Sequence, residues 1–120
     1  MAPAPTTPSP AELAETYFRS WLAGDFATLR GLLADDVSFR GPLATLHGAD
    51  DCVAGLQRMS LVVTDIVVHH RFVDGPEVLT WFDLHTSVAP PAPTANWSSV
   101  EDGRITRIRV TFDARALAGS

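Results

Sequence analysis

The sequence predicts an α+β domain in which helices come first and a mainly antiparallel sheet follows. Three observations predict it. Apolar residues recur at helical spacing through the first half of the chain. From Leu61 onward the apolar period shortens to that of a strand. Two turn-like stretches, "DGPE" and "EDGR", each sit between strand-like runs.

Residues 1–9 are rich in Pro and polar residues, so a flexible tail is expected there. "SPAE" then starts a helix: Ser9 can cap, Pro10 suits the first helical position, and Glu12 can return a bond to Ser9. Leu13, Tyr17 and Trp21 follow at spacing four, with Phe18 and Leu22 beside them, giving a broad aromatic face. Gly24 ends this helix, and Asp25 caps a second from Phe26 to about Ala34. "DDVSFRGP" reads as turn, short strand and stop. "LHGADDCVAGLQRM" reads as a third, short helix after Gly48, with Asp50 and Asp51 in its favourable first turn. "VVTDIVVHHRFV" and "VLTWFDLHTSV" make a long hairpin, and "TANWSSV" and "ITRIRVTFD" a second one after the break at "PPAP". One domain is expected over residues 10–114, with a tail at 115–120.

A chain of 120 residues supports one core. Hydrophobic residues at 46%, charged residues at 19% and a mean hydropathy of +0.10 describe a globular protein. A net charge of −5 and a pI near 5.1 argue against nucleic-acid and anionic-membrane partners, which both need basic surface. All nine basic residues are Arg, so no lysine Schiff base can form. Cys52 stands alone, which excludes an internal disulfide and argues against a Cys-based zinc site. No apolar run is long enough to cross a membrane, and "MAPAPTTPSP" lacks the segments of a secretion signal, so a cytoplasmic protein is expected. The Ala-, Pro- and Arg-rich, Lys-free composition is associated with GC-rich bacterial genomes.

The stretch "LTWFDLH" raises the functional question. In a strand, Leu79, Trp81, Asp83 and His85 share one face, while Val78, Thr80, Phe82 and Leu84 share the other. The residues alone leave two readings open. Either the acid and base face a pocket beside Trp81, or they point to solvent and Val78, Phe82 and Leu84 form core. His69 and His70 are adjacent, so only one can point inward, and His70, which shares parity with Ile66, Val68 and Phe72, is the one expected there. His47 belongs to a loop or to a pocket mouth. No metal is expected, because His70, His85 and Asp83 match no ligand spacing.

"YFRSWLAGDFATLRGLLADDVSF", "HGADD" and "EDGRITRIRVTFD" together resemble the nuclear transport factor 2-like superfamily, over roughly residues 10–114. The resemblance is to the branch that holds bacterial ketosteroid isomerases and SnoaL-like polyketide cyclases. It implies a cone-shaped α+β barrel: three N-terminal helices packed on a strongly curved mixed, mainly antiparallel sheet, with a blind pocket between. It places Tyr17 where the family has its oxyanion-donating tyrosine, Asn96 at the second donor, and Gly41 where the family has its general base. It also implies that Trp81, Asp83 and His85 share the concave face with Asn96 and Ser98, with Ile108, Val110 and Phe112 on the far wall. Val78, Phe82 and Leu84 would then face the convex side, where family members pair, so a homodimer is expected. Asp113 falls near a catalytic acid of the cyclases. The Asp–Arg–Asp set of limonene epoxide hydrolases finds no counterpart.

The function expected on these grounds is a cofactor-independent enzyme that moves a proton on a hydrophobic carbonyl compound, as an isomerase, dehydratase or aldol-type cyclase. Tyr17 and Asn96 would donate to the enolate oxygen, and Asp83 or His85 would move the proton. Trp21, Phe39, Met59, His70, Trp81, Ser98, Val110 and Phe112 would shape the substrate pocket. Two alternatives stand beside it: a non-catalytic binding or dimerisation module that kept the cone, for which Gly41 speaks, and an epoxide hydrolase-type enzyme.

Overall fold

Helix α1 (Pro10–Ala23) opens with the reciprocal cap that its sequence encodes. The Glu12 N–H donates to Ser9 Oγ and the Ser9 N–H donates to Glu12 Oε1, both at 3.1 Å. The structure is a computed structural model and describes residues 7–118, so the tail expected at 1–9 falls mostly outside the described residues. Gly24, at a φ of 75°, takes the left-handed turn that ends α1. Asp25 then caps α2 (Phe26–Leu32) through Thr28.

The remaining elements are β1 (Leu33–Arg40), β2 (Thr45–His47), α3 (Ala49–Ser60), β3 (Val63–Asp74), β4 (Glu77–Thr86), β5 (Ala92–Glu101), β6 (Arg104–Thr111) and a single turn, α4 (Arg115–Ala118). The six strands form one sheet in the order β2-β1-β6-β5-β4-β3, antiparallel except where β1 runs parallel to β6. Two elements differ from expectation. Leu46 pairs with Phe39, so "TLH" is strand β2 rather than the run-in to α3, and α4 stands where only a tail is expected. Among the described residues, no helix is long and apolar enough to cross a membrane.

The sheet wraps one face of the helices. Leu13, Tyr17 and Phe18 of α1 pack on β4, with the Phe18 and Phe82 rings 4.9 Å apart. Leu29, Leu33, Val37, Cys52, Leu56, Ile105 and Ile108 fill the other half of the core. Trp21 ties α1 to α3 by donating its Nε1–H to the Leu56 carbonyl at 2.8 Å.

Strand β4 faces opposite to the arrangement that the family resemblance implies. Val78, Thr80, Phe82 and Leu84 are between 1% and 3% exposed and line the concave side. Leu79, Trp81, Asp83 and His85 alternate with them and point to the convex side. The reason is the cost of burial: a carboxylate and an imidazole taken into an apolar cone need partners, whereas Thr80 needs one hydrogen bond and gets it from Arg71 Nε at 3.2 Å. The outward apolar strip is therefore Phe72, Leu79, Trp81 and Trp97, not Val78, Phe82 and Leu84.

His70 is corrected for a different reason. A bulge in β3 shifts the register between Val68, opposite Phe82, and His70, opposite Trp81. The extra residue reverses parity, so beyond it Arg71 takes the Thr80 side, while His70 and Phe72 join Trp81 and Leu79 outside. His70 stacks on Phe72 with centroids 5.9 Å apart. The bulge also brings His69 Nε2 to 2.9 Å from Asp83 Oδ2, so the acid of β4 has a partner on the convex face.

Candidate ligand cavity

The curved sheet and the helices leave a cavity of about 350 Å³ between them, at the small end of the range for small-molecule sites. α1 contributes Tyr17 and Trp21, α3 contributes Leu56, Arg58 and Met59, and the sheet contributes Phe39, Phe82, Leu84, Thr94, Asn96 and Val110. The β1–β2 loop, Gly41 to Ala44, closes one side. That loop is a tight return in which the Gly41 N–H donates to the Ala44 carbonyl at 2.9 Å. Burial sets the orientation: Tyr17, Thr94 and Asn96 are at the buried end, while Pro42, Leu43 and Arg58 are exposed at the rim.

Of the site residues expected from the sequence, Tyr17, Trp21, Phe39, Met59, Asn96, Val110 and Phe112 line this cavity. Ser98 is buried on the same face behind Asn96. Trp81, Asp83, His85 and His70 are not in it; they stand on the other side of the sheet. Asp113 is exposed at the end of β6, where Arg115 Nη2 donates to its carboxylate at 2.6 Å and holds its pKa down at about 2. His47 is exposed in β2. Among the described residues, no group of three or more His, Cys, Asp or Glu side chains is placed to hold a metal ion.

The polar chemistry at the buried end is a chain of three residues. The Ser98 hydroxyl donates to Asn96 Oδ1 at 3.0 Å, which turns the Asn96 NH₂ toward Tyr17. Tyr17 is 2% exposed, and burial raises its phenol well above the usual value; the hydrogen bond from Asn96 and the nearby Cys52 are smaller influences of opposite sign. A neutral phenol has one O–H to donate, and Tyr17 lines the cavity. Trp21, whose N–H is taken by Leu56, offers only its ring face. Cys52, fully buried behind this group, has its thiol pushed up to about 12 by burial and is held as a neutral small hydrophobe.

Gly41 does face the cavity. A Cβ built there would lie 3.3 Å from Phe39 Cε1 and 3.6 Å from Val110 Cβ, so a side chain at this position would enter the space between them. None of the lining residues is Asp, Glu or His; the titratable ones are Tyr17 and Arg58. The arrangement can hold an apolar molecule and donate a hydrogen bond to an oxygen on it. Arg58 and Thr94 are the polar lining residues that the sequence reading misses, and Phe82 and Leu84 line the cavity although they are expected on the convex side. Leu56 and Met59 show the cavity-facing side of α3, but a cation between them reads as solvent surface.

Residues 14–108 match the family described as a SnoaL-like domain. No curated protein matches the chain in sequence. Among solved structures, a protein from Kribbella flavida is 30% identical with a TM-score of 0.85, covering 95% of this chain and 93% of its own. An NTF2-like protein of unknown function from Cytophaga hutchinsonii is 21% identical with a TM-score of 0.83, covering 96% and 99%. An LEH-like epoxide hydrolase from M. tuberculosis is 25% identical with a TM-score of 0.77, covering 96% and 90%.

Proposed function

The chain belongs to the SnoaL-like domain family, with the NTF2-like fold, and within it we propose that it binds a hydrophobic small molecule through a carbonyl or hydroxyl oxygen. One observation carries this reading: an open apolar cavity whose buried end holds the Tyr17 phenol, and whose wall has no carboxylate or imidazole. The Tyr17 O–H donates to the ligand oxygen, and Asn96, steadied by Ser98, holds the phenol in place. Trp21, Phe82 and Val110 supply apolar contact.

The same donor favours a second reading, as a catalyst of limited scope. A hydrogen bond from Tyr17 would stabilise a developing enolate, but the cavity wall supplies no general base. A proton-transfer step here would have to use a basic group on the substrate itself or a water. Epoxide opening of the LEH-like kind, in which a carboxylate activates water, finds no carboxylate on this wall.

The test is titration of β-naphthol, followed by its own fluorescence, into the wild type and Tyr17→Phe. Wild-type binding is expected, weakened about fivefold in Tyr17→Phe, the value of one neutral hydrogen bond. Failure of β-naphthol to bind the wild type, or equal binding by both proteins, would sink the reading.

A further inference from the structure

We propose that the ligand is an amphipathic carboxylate, with its oxygen-bearing end on Tyr17 and its acid group on Arg58 at the rim. This rests on reading the cone as a ligand site, and narrows the class of ligand. Arg58 is the charged side chain on the cavity wall. Among the described residues it makes no ion pair and no side-chain hydrogen bond, whereas Arg19, Arg30 and Arg115 are each paired with a carboxylate. Arg40, Arg71, Arg104, Arg107 and Arg109 also lack a carboxylate partner among the described residues, but of these unpaired guanidiniums it is Arg58 that stands on the cavity wall, where a ligand would enter.

The backbone beneath it is shaped for that position. Gly55, one turn back on α3, has no side chain, and a Cβ there would lie 3.6 Å from Arg58 Nη2 and 2.5 Å from Leu46 Cδ1. The bare backbone lets Leu46 of β2 close against the helix, while the guanidinium lies over the same position at ordinary contact distance. A cation in the last turn of α3 also suits the helix dipole, but that preference does not require the side chain to reach the cavity wall. The planar fork of an arginine matches a carboxylate in two parallel hydrogen bonds. Between the two polar ends the wall is apolar, formed by Trp21, Phe82 and Val110. A molecule that satisfies both ends is apolar in the middle, with a hydrogen-bond acceptor at one end and an acid at the other.

Two probes test this at neutral pH: β-naphthol, and a hydroxynaphthoic acid whose hydroxyl and carboxylate stand at opposite ends of the ring pair. Both hydroxyls are neutral there and the acid is ionised. The wild type is expected to bind the acid about three- to tenfold more tightly, a preference that shrinks as salt is added. In Arg58→Gln the two affinities should converge, chiefly by loss of affinity for the acid, and Arg58→Lys should restore part of the difference. Equal affinities in the wild type, a preference that survives Arg58→Gln, or an equal loss for both probes in that variant would overturn the proposal while leaving the ligand site standing. If neither probe binds the wild type, the ligand site fails and the proposal with it.

Discussion

The two faces of β4 both carry large apolar side chains, and differ in the polar groups set between them. Val78, Phe82 and Leu84 point into the cone with Thr80; Leu79 and Trp81 point out with Asp83 and His85. Hydrophobicity alone does not choose between them. The titratable pair chooses, because a neutral hydroxyl is buried for the cost of one hydrogen bond and a carboxylate is not. The inner face is thereby left with only groups that stay neutral or sit at the rim, and the cavity inherits that limit: it can bind and polarise, but it does not bring its own base.

The largest expected effect comes from truncating one ring on each face. Phe82→Ala removes a fully buried ring that packs on Phe18, and should cost about 3–5 kcal/mol, measured by denaturant unfolding. Trp81→Ala removes a larger ring that is 40% exposed, and should cost well under half as much. Equal losses would mean that the outer face is buried in solution, as it would be if two copies pack there.

Alkaline titration gives an intermediate effect and sharpens the description of the inner face. Tyr17 is the chain's single tyrosine, so tyrosinate absorbance reports it alone. Its phenol is raised in the folded state, so the unfolded chain gives up a proton that the folded chain keeps. The stabilisation is complete below the ordinary phenol value of 10.0 and is lost as pH rises beyond it, at about 1.4 kcal/mol per pH unit for this group. Cys52 acts in the same direction, from its ordinary 9.0 up to about 12. Tyrosinate should therefore appear together with the loss of circular dichroism, and Tyr17→Phe should flatten the alkaline decline by one proton. Tyrosinate forming near the ordinary value in a folded protein would show that the buried end of the cavity is wet.

Legibility followed the same division. The start of α1 was readable because "SPAE" specifies each of its capping bonds, and both β4 and the β5–β6 hairpin were readable from period and turn residues. Tyr17 and Asn96 could be placed together from the family resemblance, and they meet at the buried end of the cavity. The facing of β4 was not readable, since either face would serve as core and period-two alternation does not name the inner one. The bulge that turns His70 outward leaves no mark in "VVHHRF". β2 is three residues long and gains its definition only from pairing with β1. Arg58 was missed because a cation in a last helical turn has an ordinary explanation, and only the folded structure shows that the side chain reaches the cavity wall.

The smallest expected effect falls on the pair that seemed most chemical in the sequence. Asp83 meets His69 at 2.9 Å on the convex face, with both side chains substantially exposed. A pair of this kind contributes about 0.2–1 kcal/mol. Asp83→Asn should lower stability by no more than that, with β-naphthol affinity unchanged, because a sheet layer separates the carboxylate from the cavity. His85→Gln should leave both quantities within error. The informative failure would be a loss of β-naphthol binding in Asp83→Asn without a loss of stability. That result would mean that the strand turns over in solution and presents Trp81, Asp83 and His85 to the ligand. Such a turn would also expose Phe82 and Leu84, so Phe82→Ala would then cost far less than the roughly 3–5 kcal/mol of a buried ring, and the two measurements together decide which face of β4 is the inner one.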